Sequence, residues 1–252
     1  MTISQSPDGT GTQITRHFMS LSMATALMCG WLVCPAEASE WSGEGELGLV
    51  VARGNTETET INLGFEVLRE SERWRNELGL SGLRARDGGD DTASRYTLSY
   101  KSDFKFDESR YLFGAFRYDR DRFSSYRYQT SFSAGYGHQF WETDRSRLRI
   151  EAGPGVRRTE ERTSGDVDTN AIARASLNYR VKITDNSRLT NRSLVETGSS
   201  NTYAENTTGL EVAMNDDLAL KMSVAVRHNT DVDPDRDRTD TLTTANIVYS
   251  FL

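Results

Sequence analysis

The sequence predicts an all-β fold, a single closed antiparallel transmembrane β-barrel of about twelve strands that follows a cleaved signal peptide. Three observations predict it. The N-terminus has the composition of an export signal, the remaining chain alternates apolar and polar residues, and tight turns alternate with longer loops. The 252 residues carry a formal net charge of −7, which gives no support to nucleic-acid binding.

Residues 1–38 are predicted to be the signal peptide. A basic pair at 16–17 precedes an apolar run over 18–33, and Ala36 and Ala38 supply the small residues of a cleavage site. Cleavage after Ala38 would remove both cysteines of the chain. The mature chain, residues 39–252, is therefore expected to form one barrel domain without disulfides, thiol catalysis or a thiolate metal site.

The strands are predicted from alternation with a period of two, which gives each segment one apolar and one polar face. The ninth and tenth segments have the weakest pattern. No linker or break in composition divides the series. The segments run over 44–53, 56–69, 73–86, 92–106, 110–121, 126–141, 147–160, 166–183, 188–198, 202–214, 218–229 and 239–251.

The connections predict the orientation of the barrel. Tight turns follow the even-numbered segments and longer loops often follow the odd-numbered ones, which is typical of an outer-membrane barrel with periplasmic termini. Gly54 and Asn55 suit a tight hairpin, and Pro154 suggests a β-bulge. Four glycines fall on the polar face, where a missing side chain permits curvature or close approach: Gly135, Gly137, Gly153 and Gly155.

The direction of the apolar faces decides between two kinds of protein. Outward faces indicate a membrane barrel, whereas inward faces would give a secreted soluble β-sandwich that serves as a binding module. Aromatic residues at both ends of the apolar faces favour the membrane, because they form belts at its two interfaces. The outer-end set is Tyr96, Tyr118, Tyr126 and Tyr128; the inner-end set is Trp74, Phe104, Phe106, Phe140, Tyr179, Tyr249 and Phe251.

Several short motifs add a family resemblance. They are Trp41–Gly48, Arg53–Thr56, Trp74, Tyr111–Gly114, Arg117–Phe123, Gly135–Gly137, Glu151–Gly155 and the terminal Tyr249–Phe251. In order and spacing the chain resembles the salt-induced outer membrane protein family of Gram-negative bacteria, a domain-of-unknown-function family. The resemblance implies an outer-membrane β-barrel, and it brings no activity or functional residues. The terminal segment also resembles the aromatic signal that the outer-membrane assembly machinery reads.

The polar faces supply the candidate site, the lining of the lumen. One interpretation is limited permeation of small polar or anionic solutes, since arginine suits carboxylate and phosphate. The alternative is an ion-pair network that fills a narrow interior, in a non-conducting structural or stress-related envelope protein. The candidates are Lys101, Asp103, Lys105, Arg117, Asp119, Arg127, Arg149, Glu151, Arg174, Arg180, Lys182, Arg192, Lys221 and Arg227.

Catalysis, metal and cofactor binding are not expected. His138 and His228 lie on apolar faces near opposite ends of the barrel, so they would not share a catalytic site. Alternating aspartates at 231, 233, 235 and 237 suggest calcium, but the EF-hand pattern fails and a solvated hairpin tip fits better. The expected location is the bacterial outer membrane, with lipid, lipopolysaccharide and the outer-membrane assembly machinery as partners.

Overall fold

A computed structural model describes residues 39–52, 58–232 and 237–251. The predicted signal peptide, the hairpin at Gly54 and Asn55, and the aspartates at 233 and 235 lie outside these ranges. Each predicted segment coincides with one strand, including the weakly patterned ninth and tenth. The strands are β1 (Glu40–Ala52), β2 (Thr58–Glu70), β3 (Trp74–Asp87), β4 (Asp90–Lys105), β5 (Arg110–Asp121), β6 (Tyr126–Glu142), β7 (Ser146–Glu161), β8 (Val167–Thr184), β9 (Ser187–Gly198), β10 (Thr202–Ala213), β11 (Leu218–Asn229) and β12 (Thr239–Phe251).

The strands form one closed antiparallel barrel in sequence order, and β1 pairs with β12 to complete it. At this seam Gly43–Leu47 pairs with Ile247–Phe251. The Phe251 ring lies over Gly43 and stacks on Phe65 of β2 at 5.6 Å between ring centroids. A side chain at position 43 would occupy the place of that ring, so the glycine lets the last strand of the chain pack against the first two.

The outer face of the barrel is apolar and the inner face is charged. Leu47, Phe132 and Ile247 are exposed on the outside, while ion pairs join strands on opposite sides of the interior. The alternative of a soluble β-sandwich is therefore wrong, because one closed sheet turns its aliphatic side chains outward. No helix that is long and apolar enough to cross a bilayer occurs in the described part of the chain.

The predicted bulge at Pro154 is wrong. The register between β7 and β8 runs through Pro154 without a shift. On the other side, pairing with β6 lapses between Ser133–Gly155 and Tyr136–Ala152, so the missing N–H of proline removes no ladder bond there. At this point the backbones of β6 and β7 lie close together. Gly135 and Gly153 make the close approach possible, since a Cβ on either would lie 2.2 or 2.1 Å from a carbonyl oxygen of the facing strand.

Candidate functional site: the charged lumen

Acidic and basic side chains line opposite sides of the lumen in the half that is nearer the short turns. In a ring of twelve strands in sequence order, β1–β3 lie opposite β7–β9. The strands thus place five carboxylates against six cations across the interior. We call the first set the acidic wall, formed by Glu44, Glu46, Glu66, Glu70 and Glu77, and the second the basic wall, formed by Arg147, Arg149, Arg180, Lys182, Arg188 and Arg192.

Three ion pairs bridge the two walls. The Arg149 Nη1 atom lies 3.4 Å from Glu77 Oε1, and Arg188 Nη2 lies 3.0 Å from Glu44 Oε1. The third pair is bidentate, with Arg192 Nη1 and Nη2 at 2.8 and 3.1 Å from the two Glu66 oxygens. Because these side-chain bonds cross the interior, they narrow the lumen. No backbone segment of the described ranges crosses the lumen at these three bridges.

Glu151 is the centre of a packed network of side chains from β4, β5, β7 and β8. Its carboxylate lies 2.7 Å from Lys101 Nζ and accepts hydrogen bonds from the Tyr111 hydroxyl at 3.0 Å and the Ser176 hydroxyl at 2.9 Å. Lys101 also lies 3.4 Å from Asp103, which is completely buried. Polar side chains fill this side of the lumen, and Asp103 is held there by the charges of Lys101 and Arg75 without accepting a hydrogen bond.

The first half of the inner face of β5 is apolar, which the alternation did not predict, whereas Arg117 and Asp119 continue the same face as charged residues. Tyr111 and Phe113 are each 2% exposed, and Ala115 is also buried, so this strand carries the small apolar core of the barrel. The Tyr111 ring covers Gly137 on β6, because the two residues are direct cross-strand partners. A tyrosine paired with a glycine was the available signal for a ring turned inward.

Gly137→Ala is expected to lower the free energy of unfolding by about 1–3 kcal/mol, the usual cost of overpacking. The added Cβ would lie 2.2 Å from the Tyr111 ring and would displace the hydroxyl from Glu151. Urea unfolding followed by tryptophan fluorescence measures the change. Gly114→Ala is the matched control, since nothing lies within 4 Å of its new Cβ. In a Tyr111→Ala background the cost of Gly137→Ala should largely vanish; an equal cost there would contradict the contact.

Glu196 is the centre of a second packed cluster, nearer the outer end. It lies 2.9 Å from Arg157 Nη2 and 3.1 Å from Arg174 Nη1, and it accepts a hydrogen bond from the Ser131 hydroxyl at 3.1 Å. Glu196 and Arg157 are both buried. One carboxylate on β9 therefore compensates guanidinium groups on β7 and β8.

The Arg192–Glu66 bridge differs from these packed clusters in its access to solvent. The side chains are 50% and 39% exposed, although both point into the closed barrel. The corresponding values for Arg157 and Glu196 are 5% and 4%. Water therefore reaches the middle of the lumen at this pair, and the interior holds both a packed part and an open part.

A cavity of about 210 Å³ lies at the outer end of the lumen. Arg117 crosses it to Glu205 at 2.8 Å and also donates to Asp119 at 3.0 Å. The Tyr203 hydroxyl donates to the same Glu205. Fixed charges of both signs thus line this cavity; they include Arg95, Arg117, Asp119, Asp121 and Arg227.

All but one of the lumen candidates lie on the inner face. Arg127 is the exception, and its prediction is wrong. A register shift between Tyr126 and Tyr128 makes Arg127 the extra residue of a bulge, where its side chain is 53% exposed and pairs with Glu160. The candidates on the inner face are Lys101, Asp103, Lys105, Arg117, Asp119, Arg149, Glu151, Arg174, Arg180, Lys182, Arg192, Lys221 and Arg227.

Because of the same bulge, the prediction that Tyr126 lies on the apolar outer face is also wrong. Because one residue is inserted, Tyr126 turns away from the outer face that carries Tyr128, and its hydroxyl donates to the Asp231 carboxylate at 2.9 Å. Tyr118 and Tyr128 stack on the outer face at 6.2 Å, where Tyr96 is also exposed. At the short-turn end the outer face carries Trp74, Phe104, Phe106, Phe140, Tyr179, Tyr249 and Phe251.

The two histidines do not meet. His138 packs edge-on against Phe140 at 4.7 Å near the inner end, and His228 lies 2.9 Å from the Thr239 hydroxyl near the outer end. Within the described ranges no three His, Cys, Asp or Glu residues are grouped as metal ligands.

Sequence reasoning missed most of the acidic partners. Glu44, Glu46, Glu66 and Glu77 lie on β1–β3, and Glu196 and Glu205 lie on β9 and β10. In β2 the signal was present, because Glu66 alternates with the outward Phe65 and Val67. The others lie next to glycine or other polar residues, which weakens the contrast between faces.

Comparisons with known proteins agree with the barrel. The family described as "Protein of unknown function, DUF481" matches residues 45–251. The chain is 27% identical over 218 residues to "Uncharacterized protein YdiY" of Escherichia coli (strain K12), and the match covers 86% of each protein. The NanC porin structure has a TM-score of 0.54 at 12% identity and covers 84% of this chain and 100% of that one.

An outer membrane channel from Pseudomonas putida F1 has a TM-score of 0.49 at 10% identity and covers 87% of this chain and 97% of that one. At such low identity the NanC likeness shows the fold alone.

Proposed function

Because the chain belongs to the DUF481 family, whose function is unknown, we propose a role from the lumen itself: the protein is a narrow outer-membrane channel that admits small solutes and favours anions. The observation that carries the proposal is the half-exposed Arg192–Glu66 bridge, which leaves the middle of the lumen open to water. Induction by salt, which the name of the similar family suggests, stays a prediction.

The preference for anions follows from charges that have no partner. Arg180 and Lys182 make no hydrogen bond or direct ion pair through their side chains with any residue in the described ranges. The other four cations of the basic wall each pair with a carboxylate. Uncompensated positive charge attracts small anions and repels cations in a confined passage.

Planar-bilayer recording tests the proposal. Protein taken from the outer-membrane fraction should give small, steady current steps, because bridges narrow the lumen, and a salt gradient should give a reversal potential on the anion side. Absence of the chain from that fraction would contradict the location. A bilayer that stays sealed at saturating protein, or a cation-selective current, would overturn the channel.

A second candidate function is a non-conducting envelope protein. It is favoured by the two packed clusters around Glu151 and Glu196, whose ion pairs are largely withdrawn from solvent. The same recordings decide between the two, since a sealed bilayer is the result expected of this second candidate.

The outer membrane also determines the proposed partners. The apolar outer face fits a bilayer, and the barrel form is the one that crosses outer membranes. Lipid, lipopolysaccharide and the outer-membrane assembly machinery are proposed as partners on this basis.

A further inference from the structure

Basic residues lie directly opposite each other on the basic wall, at the short-turn end of the barrel. Arg147 and Arg180 are direct cross-strand partners between β7 and β8, and Lys182 and Arg188 are direct partners between β8 and β9. Like charges directly opposite each other destabilise a sheet. Four cations on three adjacent strands therefore form an unfavourable arrangement unless something negative lies among them.

The carboxylates of the chain satisfy only part of this group. Arg147 pairs with Glu142, and Arg188 pairs with Glu44 and with Glu211 at 2.6 Å. Arg180 and Lys182 are left without a carboxylate in the described ranges, and the Arg188 Nε atom is buried without a hydrogen-bond partner. Two positive charges and several N–H donors remain available in one place.

We propose that this end of the lumen is a binding site for a small dianion, a phosphate or a dicarboxylate, held by Arg180 and Lys182 with Arg147 and Arg188 at its sides. A dianion would balance the two uncompensated charges. The planar fork of Arg180 offers paired N–H groups that match the oxygens of a carboxylate or phosphate. The short turns place this end at the periplasmic side, so the ligand enters from the periplasm.

Thermal unfolding of the purified barrel in detergent tests the site, with inorganic phosphate, succinate and chloride compared at equal ionic strength. Phosphate or succinate should raise the unfolding temperature of the wild type above its value in chloride, since a ligand that binds only the folded state stabilises it. A response to phosphate alone identifies a phosphate site, and a response to both or to succinate identifies the shared oxyanion chemistry.

Arg180→Gln should have two opposite effects. In chloride it should unfold at a higher temperature than the wild type, because the repulsion from Arg147 is removed, and it should lose the response to phosphate. Lys182→Gln is the second variant and should weaken the response. Arg120→Gln is the control, because Arg120 is exposed on the outer face of β5 and should keep the full response.

The proposal is overturned if neither dianion stabilises the wild type, or if Arg180→Gln and Lys182→Gln respond as the wild type does. It does not depend on conduction. A sealed bilayer would remove the proposed channel and leave the phosphate response intact, whereas a missing phosphate response would leave the channel standing.

Discussion

Glu196→Ala is expected to lower the free energy of unfolding of the barrel by about 3–5 kcal/mol, the usual cost of breaking a buried ion pair by removing one partner. The Glu196 side chain is 4% exposed and is the carboxylate that pairs with both Arg157 and Arg174. Its removal would leave two guanidinium groups in the lumen without a counter-charge. Urea unfolding of the folded barrel in detergent, followed by tryptophan fluorescence, measures the loss.

Glu108→Ala is the matched control for this substitution. Glu108 is exposed in the short turn between β4 and β5, so its replacement should change the free energy of unfolding by no more than about 0.5 kcal/mol. Glu196→Gln should fall between the two, since it keeps the shape and loses the charge. A Glu196→Ala variant as stable as the Glu108→Ala variant would mean that water compensates both arginines.

Arg192→Glu is expected to have the largest effect on ion selectivity. It would place a carboxylate beside Glu66 at the open middle of the lumen, where the wild type has a bidentate ion pair. Since charges about 4 Å apart interact by about 1 kcal/mol even at the dielectric constant of water, we expect the anion-to-cation permeability ratio to fall by roughly tenfold. Reversal potentials in a salt gradient give this ratio directly.

Two further variants make this result specific. Arg192→Gln should raise the single-channel conductance, because the bridge across the lumen is lost, with a smaller change in selectivity. Arg120→Glu adds the same charge on the outer face of β5 and should leave the reversal potential unchanged. Equal shifts for Arg192→Glu and Arg120→Glu would show that the current does not pass Arg192.

The strands and their faces could be predicted from the sequence because alternation is a local property. The segment at 110–121 and the last two segments coincide with β5, β11 and β12 residue for residue. Where the local pattern is broken by an insertion, the prediction fails. Because of the bulge at Arg127, both Arg127 and Tyr126 lie on the face opposite to the predicted one. No residue type near the bulge indicates the extra residue.

The bridges across the lumen could not be predicted in the same way. Arg192 and Glu66 are 126 residues apart and meet only because the barrel closes with twelve strands. Their contact depends on the diameter of the ring and on which strands face each other. Neither property can be predicted from the residues of one strand. The Tyr111–Gly137 contact, in contrast, joins neighbouring strands and could be anticipated once their register was known.

The opposed acidic and basic walls have a consequence for molecules with no net charge. Between the acidic wall on β1–β3 and the basic wall on β7–β9, the electric field runs across the passage and not along it. In the proposed channel, a zwitterion beside the Arg192–Glu66 bridge would be turned so that its ammonium group faces β1–β3 and its carboxylate faces β7–β9. The lumen would then sort neutral solutes by dipole moment as well as by size.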